Sequence, residues 1–202
     1  MNKRLIRFTA CFLVICALIW FSGIAEAKQK TPPILGKVKK DLNNLLTQMD
    51  KDLAATAKII GKTSLNSKEA RSAMQDIQSK YSFVIDCCTI NPAGKIVAAE
   101  PQSYKSAEGK DISSQAQFIQ LKKTHKPVIS KLFFSVEGLD ALDFEHPVFD
   151  KKGKFLGSVS LLIDSEKMFG SVIDIDSAGI PVDVWVIQTD GTTLFDPDRE
   201  EV

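Results

Sequence analysis

The sequence predicts an α+β domain with a central antiparallel sheet and helices packed on it, and three observations carry that prediction. Apolar residues recur at three- and four-residue steps through an early stretch of the chain. Later stretches change to the β-branched and aromatic composition of strands. The turns between those stretches are short and rich in Gly, Asn and Asp, so successive strands pair as antiparallel neighbours.

The elements follow in order. Leu35, Val38, Leu42, Leu45, Met49, Leu53 and Ile60 form one apolar stripe, with Lys, Asp, Asn and Gln between them. That is a long amphipathic helix over 34–60, ended by Gly61. Asn66 and Glu69 are spaced as a capping box and open a second helix to about Lys80. Residues 82–90 (SFVIDCCTI) and 95–99 (KIVAA) read as strands around a four-residue turn, 91–94. Residues 102–112 read as a polar loop. Ser113 or Ser114 is placed to cap a short helix reaching about Lys123, with His125 at its exposed end. A strand begins at Pro127 (PVISKLFF), Gly138 marks a turn or bulge, and 139–149 is a further strand. A turn over 150–153 leads into 155–163 (FLGSVSLLI), the most apolar strand. Asp164 is placed to cap a helix to about Ile173, and 182–188 with 192–195 make a last hairpin around Asp190-Gly191.

The N-terminus has a different character. Lys3, Arg4 and Arg7 form a basic head, residues 8–25 carry no charge, and Ala25-Glu26-Ala27 puts small residues where a signal peptidase reads them. This is the secretory signal pattern, and it predicts a mature chain beginning at Lys28. The alternative is an anchor over residues 8–25, at the short end of the 17–25 residues that span a bilayer. Cys11 and Cys16 do not make a lipobox, because Ile15 is not the small residue one needs. The expected organisation is therefore 1–27 signal peptide, 28–33 linker around Thr31-Pro32-Pro33, and 34–202 a single domain. The expected location is extracytoplasmic, periplasmic or secreted, with the anchored form as the alternative.

Charge and cysteines narrow the chemistry. Removing the three basic and one acidic residues of 1–27 takes the net charge from +1 to −1. There is no basic excess to neutralise phosphates, so nucleic acid is not an expected partner. Cys87 and Cys88 are adjacent. They read either as two strand residues facing opposite sides or as a strained vicinal pair. No Cys/His spacing matches a zinc site, and no nucleophile elbow, Gly-rich phosphate loop or HExxH motif is present. The sequence thus carries no catalytic motif, and no cofactor or metal is expected. Asp196-Pro197-Asp198 reads as turn chemistry, with incidental Ca²⁺ binding as the other reading.

Five segments in order resemble the Cache family of PAS-like extracytoplasmic sensor domains. Asn91-Pro92-Ala93-Gly94-Lys95-Ile96-Val97-Ala98 resembles that family's first hairpin. Gly109-Lys110-Asp111-Ile112-Ser113 is similar to its approach to the ligand, and Lys126-Pro127-Val128-Ile129-Ser130 to the strand that follows. His146-Pro147-Val148-Phe149 with Gly153, and Phe155-Leu156-Gly157-Ser158-Val159, resemble its long hairpin. The set resembles the membrane-distal module of double-Cache members, and residues 182–202 resemble the start of a truncated second module.

The resemblance implies a ligand site on the concave sheet face, lined from 111–118, 129–135 and 142–146. The candidate ligand-binding residues are Asp111, Ser114, Gln115, Gln117, Phe118, Phe133, Ser135, Asp143 and His146. Amino-acid-binding members place an Arg, a Trp and a Tyr where this chain has Gln115, Gln117 and Phe118. They place a Tyr and an Asp where it has Phe133 and Ser135, and a later Asp where it has Leu162. The guanidinium that clamps a carboxylate is absent from that set, as are the acids that take an ammonium. Strand alternation puts Asp143, Glu145 and Pro147 on one face of their strand, and Leu142, Phe144, His146 and Val148 on the other. If the apolar set faces the core, His146 goes with it.

Two functional readings follow. In the first, the domain binds a small organic ligand and signals through a partner, which is membrane-bound or a second copy of the chain. In the second, it is a structural or interaction module without a ligand, dimerising through the long helix, whose near-heptad spacing permits a seam.

Overall fold

The computed structural model describes residues 33–173 and 183–198. The signal peptide, the linker as far as Pro32, and the ends of the expected last hairpin lie outside the described residues. Among the described residues, four helices and eight strands follow in order as α1 (Pro33–Ile60), α2 (Lys68–Lys80), β1 (Val84–Ile90), β2 (Ile96–Glu100), α3 (Ala116–Thr124), β3 (Val128–Ile129), β4 (Phe133–Phe134), β5 (Asp140–Phe149), β6 (Phe155–Ile163), α4 (Ser165–Gly170), β7 (Val186–Ile187) and β8 (Thr193–Phe195). The α+β architecture is the expected one, a long N-terminal helix and shorter helices on an antiparallel sheet.

The strands run β2-β1-β6-β5-β3, with β4 also paired to β5. Every pairing is antiparallel. The long strand β6 therefore lies between β1 and β5 although more than sixty residues separate it from β1. Gly157 permits this approach. Its φ is +129°, and a Cβ there would sit 1.9 Å from the Ile90 carbonyl oxygen, so no other residue fits without moving β1.

One sheet face packs on α1 and α2. Leu142, Phe144 and Val148 of β5 join Val159, Leu161 and Ile163 of β6, and meet Met49, Leu53 and Ile60 of α1 and Met74 and Ile77 of α2. Burying each such side chain is worth about 1.5–3 kcal/mol, so this layer supplies most of the stability. The stripe residues Leu35, Val38, Leu42 and Leu45 also pack partly on this cluster, so α1 spends its apolar face within its own domain. The other face carries a smaller cluster of Cys88, Ile90, Ile96, Ile112 and Phe118, under α3.

The differences from the expected elements are local. The N-cap of α2 is Ser67, which accepts from the Ala70 amide at 3.0 Å. Asn66 instead accepts from Arg71 Nε at 2.7 Å. Residues 102–107 form a 3-10 helix. Gln115, not a serine, stands at the N-cap of α3, and its side chain makes no capping bond. His125 closes α3 in the left-handed region and stacks on Phe155 at 4.6 Å. The expected strand from Pro127 breaks into β3 and β4, because Ser130 turns its backbone and hydroxyl to Asp143.

Candidate functional site

A cavity of about 30 Å³ lies on the α3 side of the sheet. Its floor is sheet, with Asp86, Cys88 and Ile90 on β1, Ser160 and Leu162 on β6, and Asp143 on β5. Its walls are Ile96, Ile112, Gln115, Phe133, Val136 and Glu137. The hairpin turn positions one wall. Gly94, at φ +85°, lies so close to Ser113 that a Cβ would be 2.6 Å from its Cα. The Ile112 amide donates to the Gly94 carbonyl at 2.8 Å. This contact fixes Ile112 and the start of α3 over the sheet.

The register defines the floor. Leu162 faces Asp86 across one ladder and Asp143 across the other, so a single row reads Asp143–Leu162–Asp86. The neighbouring row on this face reads Glu145–Ser160–Cys88. Asp86 is 1% exposed, Asp143 4% and Glu145 0%. Each keeps one carboxyl oxygen without a hydrogen-bond partner: Asp86 Oδ2, Asp143 Oδ1 and Glu145 Oε2. Their remaining contacts are weak or few. Asp86 Oδ1 accepts from the Cys88 thiol at 3.5 Å. Asp143 Oδ2 accepts from Gln117 Nε2 at 3.4 Å. Glu145 Oε1 accepts from the Ser158 hydroxyl.

Burial disfavours the charged form of a carboxyl, and a nearby carboxylate disfavours it further. Burial first, then the charge of Glu137, pushes Asp86 up to about 7. Burial pushes Glu145 up to about 7. Burial, then Glu145, holds Asp143 well above the usual range. Burial also raises the Cys88 and Cys87 thiols. Both cysteines are free. Cys87 joins the core under α1 and α2 and Cys88 the cluster under α3, so the two side chains face opposite sides.

The expected site residues divide accordingly. Gln115, Phe133 and Asp143 line the cavity. Gln117 is buried beside it and bonds both Gln115, at 2.8 Å, and Asp143. Phe118 is fully buried in the cluster under α3. Ser135 is buried, with its amide on the Leu139 carbonyl. Asp111 and Ser114 are exposed and do not line the cavity. Asp111 is spent on the Ser113 amide at 2.8 Å. His146 lies on the apolar-set side of β5, 3.9 Å from Asp50 of α1, away from the cavity. Sequence reasoning did not single out Asp86 or Glu137, which also line the cavity. The available clue was a lone Asp inside an otherwise apolar strand, where Asp is disfavoured unless it has a use.

A second cleft, of about 580 Å³, is lined by Asp140, Asp164, Glu166 and Asp196 among others. Three of its acids serve local structure. Asp164 caps α4 through the Lys167 amide at 3.1 Å, and Glu166 accepts from the Asp196 amide at 3.3 Å. Asp196 accepts from Trp185 Nε1 at 2.9 Å and from the Asp198 amide at 3.0 Å, which is turn chemistry. Among the described residues no three His, Cys, Asp or Glu are arranged to hold a metal ion.

The profile of the "HK/GC/Chemotaxis protein-like, sensor domain" family matches residues 44–165. The chain belongs to this family. The matched segment contains the whole sheet of β1 to β6 and every residue that lines the cavity, and it agrees with the Cache resemblance. An extracellular ligand binding receptor from Desulfohalobium retbaense DSM5692 is 37% identical, with a TM-score of 0.78 over 85% of this chain. The chain spans about a third (32%) of that receptor's length. The ligand-binding domain of the Campylobacter jejuni chemoreceptor Tlp3, in complex with L-norvaline, superposes with a TM-score of 0.65 at 12% identity, over 82% of this chain and 67% of that one. The ligand-binding domain of the Pseudomonas aeruginosa PAO1 amino acid chemoreceptor PctC, in complex with GABA, superposes with a TM-score of 0.59 at 15% identity, over 82% and 74%. At those identities the last two show the fold alone. No curated protein matches the chain. No described helix of this sensor domain is long and apolar enough to cross a membrane.

Proposed function

We propose that this chain is exported, binds a small organic ligand in the cavity under α3, and passes on the bound state through a partner. Residues 1–27 act as the export signal, 28–33 as a linker and 34–202 as the sensor domain. The observation that carries the reading is the cavity floor. A sensor-family domain holds buried carboxyl oxygens without partners between apolar walls, which suits a site with few polar groups that orient a ligand. Buried polar atoms without partners cost a fold stability, so their presence in a cavity supports a use.

The route from ligand to partner follows from the layers. Strands β5 and β6 present one face to the cavity and the other to α1. A ligand that binds one packing of sheet and helix better than another shifts their populations by its difference in affinity. The partner reads that shift at α1 or at a second copy of the chain.

The test is thermal unfolding of the purified protein against carboxylates, amines, amino acids and purines. A ligand at 100 times its Kd adds about 2.7 kcal/mol and raises Tm measurably. Replacing Phe133 or Gln115 abolishes the response if the cavity is the site. The competing reading, an interaction module without a ligand, is favoured by the cavity's small volume, about 30 Å³. A cooperative domain that responds to nothing supports that reading. Export has its own test. Secreted protein whose N-terminus is Lys28 supports cleavage, and retention of residues 1–27 refutes it.

A further inference from the structure

Two sets of buried carboxyls in this molecule are treated differently. Glu100 of β2 is 3% exposed. Arg71 donates to its Oε1 at 2.7 Å and Gln75 to its Oε2 at 2.8 Å, so both oxygens are matched. Asp86, Asp143 and Glu145 are as deeply buried, yet each has an oxygen with no partner. No Lys, Arg or His stands among the residues that line the cavity. The basic side chain tied to its rim, Lys110, donates to the Val136 carbonyl. The fold can neutralise a buried acid, and at the cavity it does not.

We propose that the cavity takes a small organic cation that carries no carboxylate, an amine, whose ammonium is held between Asp86 and Asp143, with the charge of Glu137 beside them. This rests on the preceding reading of the cavity as a ligand site and names the ligand's chemistry. The ammonium supplies the charge and the donors that the two unpartnered oxygens lack. Ile90, Ile96, Ile112, Val136 and Leu162 give the organic body apolar walls, and Phe133 adds an aromatic side chain to the lining. A ligand carboxylate would meet three acids and no guanidinium, with the neutral Gln115 and Gln117 at the start of α3. A bare metal ion fits less well, because no described trio of carboxylates converges as a metal cage and most walls are apolar.

Size adds a condition. The space of about 30 Å³ is small for an amine with a longer body. Phe133, Val136 and Glu137 belong to the segment around β4, which holds the sheet by a two-residue pairing, and Phe134 beside them is 71% exposed. A larger amine would have to displace that wall.

The charges facing the site also set a proton exchange. Facing Asp86 and Asp143 are Glu137 from the β4–β5 turn, Glu145 from β5 and the Cys88 thiol from β1, with neutral Gln115 and Gln117 from α3. Without a cation nearby, burial favours the protonated form of Asp86, pushed up to about 7, and of Asp143. An incoming ammonium keeps its own protons, and a carboxyl proton leaves for solvent. Binding is therefore weaker at lower pH, about tenfold per pH unit where one proton is exchanged.

The experiment is titration calorimetry and thermal unfolding of the full chain with methylammonium, ethanolamine and putrescine. Sodium acetate, valine, GABA and calcium chloride serve as comparators. The proposal expects at least one amine to bind and raise Tm, with loss of at least tenfold in affinity in Asp86→Asn and Asp143→Asn. Both variants should fold, because each keeps the side chain's shape and removes a buried charge. Asp140→Asn, in the other cleft, should bind as the parent does. Calorimetry at pH 6.5 in two buffers of different ionisation heat should report proton release, and affinity should rise towards pH 8. A response only to acetate, valine or GABA overturns the cation assignment and leaves the cavity as a ligand site. A response only to calcium overturns it in favour of a metal. No response to any compound overturns both readings.

Discussion

The two faces of one sheet obey different rules. On the α1–α2 face, Leu142, Phe144, Val159, Leu161 and Ile163 pack against apolar side chains of the helices. On the α3 face, the same strands β5 and β6 with β1 present Asp143, Glu145, Ser158, Ser160, Asp86 and Cys88. Both faces are buried, and the first gains more from it. Transfer of apolar area out of water stabilises the first face, whereas unpaired carboxyls make burial of the second a cost. The lesson is a division of labour across the thickness of one β-sheet, with stability on one side and chemistry on the other.

The comparison breaks most easily on its stable side. Leu161→Ala leaves a cavity between β6 and α1 and should lower stability by about 3–4 kcal/mol in chemical denaturation. A loss below about 1 kcal/mol would mean that this face is not the main support. Next comes the matched acid. Arg71→Ala strands the buried Glu100 and frees Glu108, whose Oε1 it holds at 2.7 Å. The expected cost is about 3 kcal/mol, recovered in part by a second change, Glu100→Gln.

The pH dependence sharpens the contrast. Asp86 and Glu145 hold protons up to about 7 in the folded state, far above a free carboxyl. Between about 4 and 7 the folded chain thus binds more protons than the unfolded one, so their contribution is present at low pH and is lost as pH rises through about 7. Ligand-free protein should show a rising Tm as pH falls from 8 to 5.5, at most about 1.4 kcal/mol per pH unit for each group. The carboxyls held below their usual range, such as Asp52 beside Lys80 and Tyr81, stay ionised over that window and do not reverse the trend. A flat or falling Tm would refute the unmatched-acid picture. The smallest effect is the most specific. Asp86→Asn at pH 8 should stabilise the ligand-free protein by about 1 kcal/mol, because it removes a buried charge and keeps a polar side chain. The same substitution should flatten the pH profile.

Much of this was legible in the residues. The period of Leu35 to Ile60 gave α1 to within one residue of its start. The hairpin turns gave β1–β2 and β5–β6, and alternation along β5 put Asp143 and Glu145 on one face and His146 with the apolar set. The cap of α2 and the broken strand 127–134 were misjudged, because Ser67 competes with Asn66 for the same role and Ser130 finds its partner on β5.

The sequence by itself determined the elements, the apolar stripe of α1, the face each side chain takes along its strand, and the absence of a guanidinium at the start of α3. These depend on neighbours within a few residues, which a linear pattern records. Only the tertiary structure decided that Asp86 and Asp143 flank Leu162 and that Glu137 closes over them. That row exists because β6 inserts between β1 and β5, a pairing of strands far apart in sequence that no local periodicity specifies. Only the packing of Ile112, Gln115, Phe133 and Val136 over the sheet then buried the row, where Asp86 Oδ2 and Asp143 Oδ1 have no partner.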